Sequence, residues 1–444
     1  MKIDSGDTAW LLASSALVLF MTPGLAFFYG GMVRSKNVLA MLMQNFLCIG
    51  LVSVIWAVIS YSLAFGADIG GHGLLGGLHF VGLSHQGDVV PGFVDDKGAT
   101  TLTIPPLVFV AFQMMFAIIT PALITGAIAD RIKFGGFVAF IALWSILVYA
   151  PVAHWVFSPT GWLNKLGALD FAGGTVVHAN AGAAALAVVL VIGKRRGWPR
   201  EQMKPHSLPL TLLGAGILWF GWFGFNAGSA LAASGAAAQA FMSTQLATAA
   251  ALLAWIGVEK LRNGKATTLG AASGAVAGLV AITPACGSVS SMGAIIVGLV
   301  AGGACAFAVS FKYKFGYDDS LDVVGVHLVG GILGALIIGL LADPAVAGDK
   351  HKGLFYGGGL TQLGYQALAV AAVVAYSFIV SFILAKLVDM TIGMRVSEDD
   401  EIEGLDSTSH AETAYDFGTG LASAFGGSDR SRALAAQSPG KVDA

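Results

Sequence analysis

Two histidines deep inside apolar segments are the residues whose type and position most clearly suggest chemistry. His178 follows Asp170 by eight residues, and His327 follows Asp322 by five, so each imidazole lies deeper in its segment than a carboxylate. An ionisable group at bilayer depth is costly unless it lines a cavity or pairs with another group. A neutral imidazole donates from one nitrogen and accepts at the other, and its ordinary pKa lies near neutrality. The pattern predicts a hydrogen-bonding or proton-handling site inside a membrane.

The composition of the 444-residue chain indicates the solvent in which it folds. Hydrophobic residues make up 56% of the chain and charged residues 11%, whereas a soluble domain has about 25% charged residues. This composition excludes a disordered chain and argues against a water-soluble enzyme. Lys and Arg number 24 against 26 Asp and Glu, so no net positive field exists that would bind nucleic acid. Uncharged stretches of about 20 residues predict an integral membrane protein in contact with lipid.

Charged residues and clusters of Gly, Pro and Ser divide the chain into candidate membrane spans. Each span is long enough to cross a hydrocarbon core of about 30 Å at about 1.5 Å per residue. Pro284 and Gly287 divide one over-long apolar run into two spans. The predicted fold class is an all-α integral membrane protein with eleven transmembrane helices. The predicted spans are 8–31, 38–65, 102–127, 136–157, 171–192, 207–228, 238–258, 267–285, 290–311, 321–342 and 359–389.

The distribution of positive charge predicts the orientation of these spans. Connections on one side carry sixteen Lys and Arg residues, whereas those on the other side carry five. Since Lys and Arg are enriched in cytoplasmic connections, we expect the N-terminus outside and the C-terminus in the cytoplasm, as an odd number of spans requires. The first apolar segment has no cleavage site, so we interpret it as a retained span rather than a signal peptide.

The spans fall into two halves that bring the histidines together. The first five spans (8–192) and the next five (207–342) are expected to form two repeats of opposite orientation, because five is odd. Equivalent helices of inverted repeats meet near the membrane midplane, where transporters place their sites. His178 and His327 lie in the fifth span of each repeat, so we expect them to face each other. The alternative is two separate core histidines, each with its own partners.

Aromatic residues cluster near the predicted outer ends of three spans. Phe112 and Phe116 lie in the third span, Phe157 ends the fourth, and Trp222 and Phe225 lie in the sixth. An aromatic face attracts a cation placed within about 6 Å of its centroid, so this set predicts a cation site at the outer mouth. An interfacial aromatic belt would explain the same residues equally well.

The regions outside the spans give weaker functional signals. The transmembrane domain, 1–392, includes the final helix and is followed by a cytoplasmic tail, 393–444, expected to be disordered after about residue 419. The acidic run 398–403 in this tail is expected to be solvated. The outer loop 66–101 has three histidines whose spacing matches no metal-ligand pattern, so we predict an exposed loop without a metal. The three cysteines lie in apolar segments and are expected to act as small hydrophobes.

Four motifs closely resemble those of the ammonium transporter family (Amt/Mep/Rh), in particular its bacterial Amt branch. The motifs are PGLAFFYGG at 23–31, DFAGGTVVH at 170–178, WFGFNAGS at 222–229 and the tail segment 395–405. The resemblance covers about residues 8–417. It implies an eleven-helix fold with two inverted five-helix repeats, assembled as a homotrimer in the cell inner membrane with one pore in each subunit.

The resemblance also implies roles for individual residues. Phe116 and Phe225 match the stacked phenyl gate of the family, and His178 and His327 match its twin pore histidines. Asp170 matches a buried acid that orders the substrate site without touching the ion. The implied substrate-binding residues are Phe112, Phe116, Phe157, Ser229 and Asp170, and Trp222 is implied to line the pore.

One position departs from the family pattern. The family usually has Trp where this chain has Phe157, at the end of the run 153–157. Phe is the weaker cation–π partner and has no indole N–H. The departure bears on the strength of external ammonium binding and does not touch the pore histidines.

The implied function is ammonium transport, without enzymatic activity and without a cofactor or metal. Ammonium would be recruited outside the gate and deprotonated, and ammonia would pass the histidines. Passage of ammonia alone and passage of ammonia together with a proton are both compatible with this function. The family resemblance further implies that a trimeric PII nitrogen-signalling protein docks on the cytoplasmic face, next to the tail.

Three other functions are compatible with parts of the sequence. Two histidines on facing helices are able to ligate a haem, but the glycines around them leave little room for a macrocycle. An intramembrane enzyme is disfavoured, because the chain has no HExxH motif and no evident pair of embedded aspartates. An ammonium sensor would share the binding site without conducting, and the tail is too short for a signalling domain.

Overall fold

The computed structural model describes residues 3–415, and in this range the fold is all-helical, with three isolated β-bridges and no β-strand. Ten of the helices in this range are long and apolar enough to cross a membrane. One further apolar helix is shorter, with 15 residues. In chain order the apolar helices are α1 (Ser5–Met32), α2 (Ser35–Phe65), α3 (Pro106–Ile128), α4 (Phe134–Leu166), α5 (Gly174–Ile192), α6 (Leu208–Gly228), α7 (Gly235–Asn263), α8 (Thr268–Ile282), α9 (Ser291–Phe315), α10 (Val324–Leu341) and α11 (Thr361–Thr391).

The all-α prediction is confirmed, and most predicted spans agree with the helices to within a few residues. α4 ends nine residues beyond its predicted limit of 157, because the short helix Trp162–Leu166 follows. α8, which was predicted to extend over 267–285, is shorter than predicted. Thr267 caps its start by accepting a hydrogen bond from the backbone N–H of Gly270 at 2.8 Å, and the helix ends at Ile282, before Pro284. A helix of this length spans about 22 Å, less than the hydrocarbon core of about 30 Å.

The first helices of the two predicted halves, α1 and α6, pack closely along their length. A Cβ atom on Gly24 of α1 would lie 2.6 Å from the Ile217 side chain of α6. A Cβ atom on Gly214 of α6 would lie 2.2 Å from the backbone nitrogen of Phe28 on α1. Small residues at such a crossing let two helix backbones approach closely. The fold therefore places equivalent helices of the two halves face to face.

A buried cluster of charges holds several connections together on the side of the molecule where the tail packs. Asp318 accepts hydrogen bonds from the guanidinium of Arg195 at 2.9 and 2.8 Å, and Arg131 donates to the Asp318 carbonyl oxygen at 2.5 Å. Burial alone raises the pKa of Asp318, but the hydrogen bonds from Arg195 and the charge of Arg131 outweigh it and lower that pKa. The carboxylate of Asp318 is thus held in its charged form.

The described part of the tail packs on the membrane domain. It forms two short helices, Glu398–Glu403 and Leu405–His410. Glu401 is buried; it accepts from the backbone N–H of Arg196 at 2.7 Å and pairs with Arg395 at 2.9 Å. The prediction that the whole acidic run is solvated is therefore wrong for this residue. The disorder predicted after about residue 419 lies outside the described residues.

Candidate functional site

The fold brings His178 and His327 together. Their Nδ1 atoms lie 3.3 Å apart, their ring centroids are 5.4 Å apart, and both side chains are buried. Each histidine lies in a π-helical turn at the start of its helix, Gly174–Ala179 in α5 and Val324–Leu328 in α10. Such widened turns are common at functional sites. The arrangement matches the expectation that the two halves present these rings to each other.

The contact between the two rings determines which hydrogen bonds they offer to a third molecule. If both imidazoles are neutral, one Nδ1–H donates to the other Nδ1. The donating ring then has no proton on Nε2, which becomes an acceptor, whereas the accepting ring carries its proton on Nε2 and becomes a donor. The pair as a whole therefore presents one acceptor and one donor.

Two glycines, each four residues after a histidine, allow this approach. A Cβ atom on Gly182 would lie 2.5 Å from the backbone nitrogen of Leu328, the neighbour of His327. A Cβ atom on Gly331 would lie 2.9 Å from the backbone nitrogen of Ala179 and 3.1 Å from the Cβ atom of His178. The contacts are reciprocal, so each glycine makes room for the histidine turn of the opposite half.

Asp170 caps the helix that carries the first histidine. Its carboxylate accepts from the backbone N–H groups of Gly173, Gly174 and Thr175 at 2.8, 2.7 and 2.8 Å, and from the Thr175 hydroxyl. The first N–H groups of a helix have no partner within the helix and attract negative charge. Asp170 is half-buried and fixes the turn that contains His178.

The corresponding carboxylate in the second half is Asp319, not Asp322 as the sequence interpretation assumed. Asp319 accepts from the backbone N–H groups of Val323 and Val324 at 3.0 and 2.7 Å. Asp322 instead pairs with Lys312 at 2.6 Å. The signal in the sequence was spacing, since Asp319 precedes His327 by eight residues, as Asp170 precedes His178.

A narrow apolar cavity lies against the histidine pair. Its volume is about 10 Å³, about the room that one water-sized molecule needs. The Nε2 atom of His178 has no hydrogen-bond partner among the described residues. The Trp222 ring stacks on His178 at 5.3 Å, and its N–H donates to Thr283 at 2.8 Å. The cavity is lined by Met21, Leu25, Ile119, Leu123, Val177, His178, Leu218, Trp222, Phe225, Val276 and His327.

A second cavity, of about 30 Å³, continues beyond His327. It shares His327 and Val276 with the first cavity and has polar groups, including Ser273 and the half-buried carboxylate of Asp322. His327 thus lies between an apolar cavity and a more polar one.

Four phenyl rings pack together beside the first cavity, and one of them, Phe225, lines it. Phe116 and Phe225 lie 4.3 Å apart between centroids and are both buried. Phe112 and Phe157 contact Phe116 at 5.0 and 6.2 Å. Phe225 is also 6.0 Å from His178, so the Phe116–Phe225 pair directly covers the histidine site.

Ser229 lies next to this aromatic group. Its hydroxyl donates to the Phe225 carbonyl oxygen at 2.8 Å, which leaves the lone pairs of the hydroxyl oxygen available as acceptors. A Cβ atom on Gly228 would lie 2.8 Å from the Phe112 ring, so the chain before Ser229 is pressed against that ring. Ser229 and Phe157 are half-buried.

The outer loop is exposed at its histidines, as predicted, but the fold groups two of them with a carboxylate. The possible ligand atoms of His79, His85 and Asp88 lie within 4.8 Å of one another. All three side chains are about half exposed, and the distance of 2.8 Å between His79 Nε2 and Asp88 Oδ2 is that of a hydrogen bond at the surface. The cysteines are free and buried, as predicted.

Comparisons with known proteins give a consistent answer. Residues 9–415 match the Ammonium Transporter Family. The ammonium transporter of Mycobacterium tuberculosis (strain H37Rv) is 56% identical, over 93% of this chain and 91% of that protein. The Bacillus subtilis (strain 168) ammonium transporter is 47% identical, over 92% and 98%. The crystal structure of Saccharomyces cerevisiae Mep2 superposes with a TM-score of 0.82 at 35% identity, covering 90% and 89%. The chain belongs to the ammonium transporter family and is a multi-pass membrane transporter rather than an enzyme.

Proposed function

We propose that this transporter recruits ammonium at the outer aromatic group, removes one proton and conducts ammonia past His178 and His327. The observation that carries the proposal is the unpartnered Nε2 of His178, which lines an otherwise apolar cavity beside a second imidazole. An unpaired buried nitrogen is costly. Ammonia, which both donates and accepts hydrogen bonds, fits the acceptor and the donor that the pair presents.

The apolar lining supports conduction of a neutral molecule. Transfer of an ion into such a cavity costs several kcal/mol even after relaxation of the protein. Potassium has nearly the size and charge of ammonium but has no proton to release. A cavity that passes only the neutral base therefore excludes potassium without a size filter.

Recruitment is proposed to take place outside the gate of Phe116 and Phe225. Phe112 and Phe157 would offer ring faces to the cation, and the Ser229 hydroxyl would accept one of its N–H groups. Asp170 would act indirectly, because its carboxylate oxygens are already bound to backbone N–H groups. An aromatic belt alone would not require the contacts of Phe116 with three other rings.

The test is a current measurement on liposomes that contain the purified protein, with ammonium, methylammonium or potassium as the only permeant cation. We expect ammonium-dependent uptake or current, and a potassium signal at least about 100-fold smaller, since an ion pays several kcal/mol in the cavity. Comparable potassium flux would contradict the proposal. Ammonium binding without any flux would indicate a sensor, and a Soret band in the purified protein would indicate a haem site.

Replacing Phe157 by Trp tests the recruitment site. Trp is the stronger cation–π partner, so the ammonium concentration for half-maximal transport should fall about two- to fivefold, or by about 0.5–1 kcal/mol. Phe157→Leu is the matched control: it keeps an apolar side chain without a π face and should shift the value in the opposite direction. Equal half-saturation in all three proteins would exclude Phe157 from the site.

The orientation and assembly proposed for this transporter rest on the distribution of its Lys and Arg residues and on its exposed apolar side chains. We infer eleven membrane spans in two inverted repeats, with the N-terminus outside and the sixteen positive residues in the cytoplasm. Large apolar side chains on the outer faces of the helices, such as Phe46, Leu213, Phe220 and Leu253, are exposed and suit lipid or a second subunit. A homotrimer in the inner membrane, with a PII protein on the cytoplasmic face, is the proposed working form. Proton co-translocation is proposed as an accompanying step.

A further inference from the structure

We propose that His79, His85 and Asp88, in the outer loop between α2 and α3, bind one divalent transition-metal ion of the Zn²⁺ type. One ligand atom from each side chain lies within 4.8 Å of the other two. Two imidazole nitrogens and one carboxylate oxygen form a ligand set that Zn²⁺ accepts, with a water molecule at the fourth position. None of the three residues lines the cavities at the pore histidines, so this site is separate from the one proposed for ammonium.

The distances between the ligand atoms are close to those around a coordinated ion. The Nε2 atom of His79 lies 2.8 Å from Oδ2 of Asp88, and the Nδ1 atom of His85 lies 4.0 Å from the same oxygen. Around a tetrahedral Zn²⁺ with bonds of about 2.0–2.2 Å, neighbouring ligand atoms are about 3.3–3.6 Å apart. The three side chains are about half exposed, so rotation of side chains at the surface is enough to bring the ligand atoms to these separations.

Contacts within the protein hold the loop in this shape. Phe80, which follows the first histidine, is buried and packs on Tyr61 with the ring centroids 5.3 Å apart. The backbone N–H of Asp88 donates to the His85 carbonyl oxygen at 2.9 Å, which closes a turn between these two ligands. The rings of His79 and His85 stack with their centroids 4.4 Å apart. Because the ligands are already grouped, binding requires less ordering of the loop.

The group differs from the three histidines that the sequence interpretation considered. Asp88 takes the place of His72, which does not belong to the group. The alternative is a surface hydrogen bond between His79 and Asp88 alone, and it accounts for two of the three side chains. His85 lies beside them as well, although its φ of 55° falls in the left-handed region that few residues other than glycine adopt.

The test is a calorimetric titration of the purified full-length transporter in detergent with ZnCl₂, after removal of any affinity tag. We expect wild type to bind a single Zn²⁺ ion per subunit. His79→Gln, His85→Asn and Asp88→Asn each remove one ligand and keep a polar side chain, so each should weaken binding at least about tenfold. Asn suits position 85 because it tolerates a positive φ. His72→Asn is the matched control, since His72 is an exposed histidine of the same loop, and it should bind as wild type does.

Thermal unfolding gives a second measurement on the same proteins. An ion that binds the folded state raises the unfolding temperature, so ZnCl₂ should stabilise wild type and His72→Asn more than the three ligand variants. Wild-type protein that binds no Zn²⁺, or equal affinity in wild type and in all three ligand variants, would overturn the proposal. Neither measurement depends on ammonium flux, so a failure of this proposal is distinguishable from a failure of the proposed function.

Discussion

Replacing both His178 and His327 by leucine is expected to lower ammonium flux about 100-fold. Two hydrogen bonds to the conducted molecule would be lost in an apolar cavity, at about 1.5 kcal/mol each. Leucine also fills part of a cavity of about 10 Å³. The measurement is the initial rate of ammonium uptake into liposomes, together with the selectivity over potassium.

The single variants and a histidine control sharpen this prediction. Each single leucine variant should be impaired less than the double variant, because one nitrogen can still interact with ammonia. His72→Ala, which changes an exposed histidine of the outer loop, should behave as wild type. If the double variant kept both its rate and its ammonium selectivity, the histidines would have no part in conduction.

Gly182→Ala and Gly331→Ala are expected to impair both stability and transport by separating the histidine pair. The added Cβ atoms would lie 2.5 and 2.7 Å from backbone atoms of the opposite half, closer than any ordinary contact. Overpacking of this kind typically lowers the free energy of unfolding by about 1–3 kcal/mol. The steric clash is relieved only if the turns that carry His178 and His327 move apart. Thermal unfolding in detergent and the uptake rate per folded molecule measure the two effects.

Two other helix glycines are matched controls. Neither Gly50 in α2 nor Gly216 in α6 would bring a new Cβ atom within 4 Å of another group among the described residues. Ala at these positions should raise stability by up to about 1 kcal/mol, since Ala favours helix more than Gly does. Equal unfolding temperatures for all four variants would show that the crossing tolerates a methyl group.

Much of the architecture could be predicted from hydrophobicity and charge alone. Uninterrupted apolar segments must be helical in lipid, because every backbone group needs a partner within its own segment. The expectation of two inverted repeats with an odd number of spans places His178 and His327 in equivalent helices, and the contact between the two rings agrees with that expectation. The break near Pro284 was also predictable, since proline cannot continue a helix.

Two features differ from the sequence interpretation. The sequence interpretation pairs Asp322 with His327, as it pairs Asp170 with His178, yet the carboxylate that caps the turn is Asp319, in the connection before α10. Glu401 was assigned to a solvated run, but it is buried by contacts with Arg196 and Arg395. The partners of Glu401 are fixed by tertiary packing, and local sequence gives no information about them. The Asp319 cap, in contrast, is a local contact, and the spacing of eight residues between Asp319 and His327 is visible in the sequence.

The single hydrogen bond between the two imidazoles limits how protons can cross. Suppose that an arriving ammonium protonates the free Nε2 of the ring that donates from Nδ1. The bridging proton then shifts across the Nδ1–Nδ1 contact, and the second ring releases its Nε2 proton on the far side. The tautomers of the two rings are then exchanged. The ring that meets the next ammonium now carries a proton on its Nε2 and is not able to accept another. Each electrogenic cycle would therefore require a reset of both tautomers, and the slower of hop and reset would set the turnover.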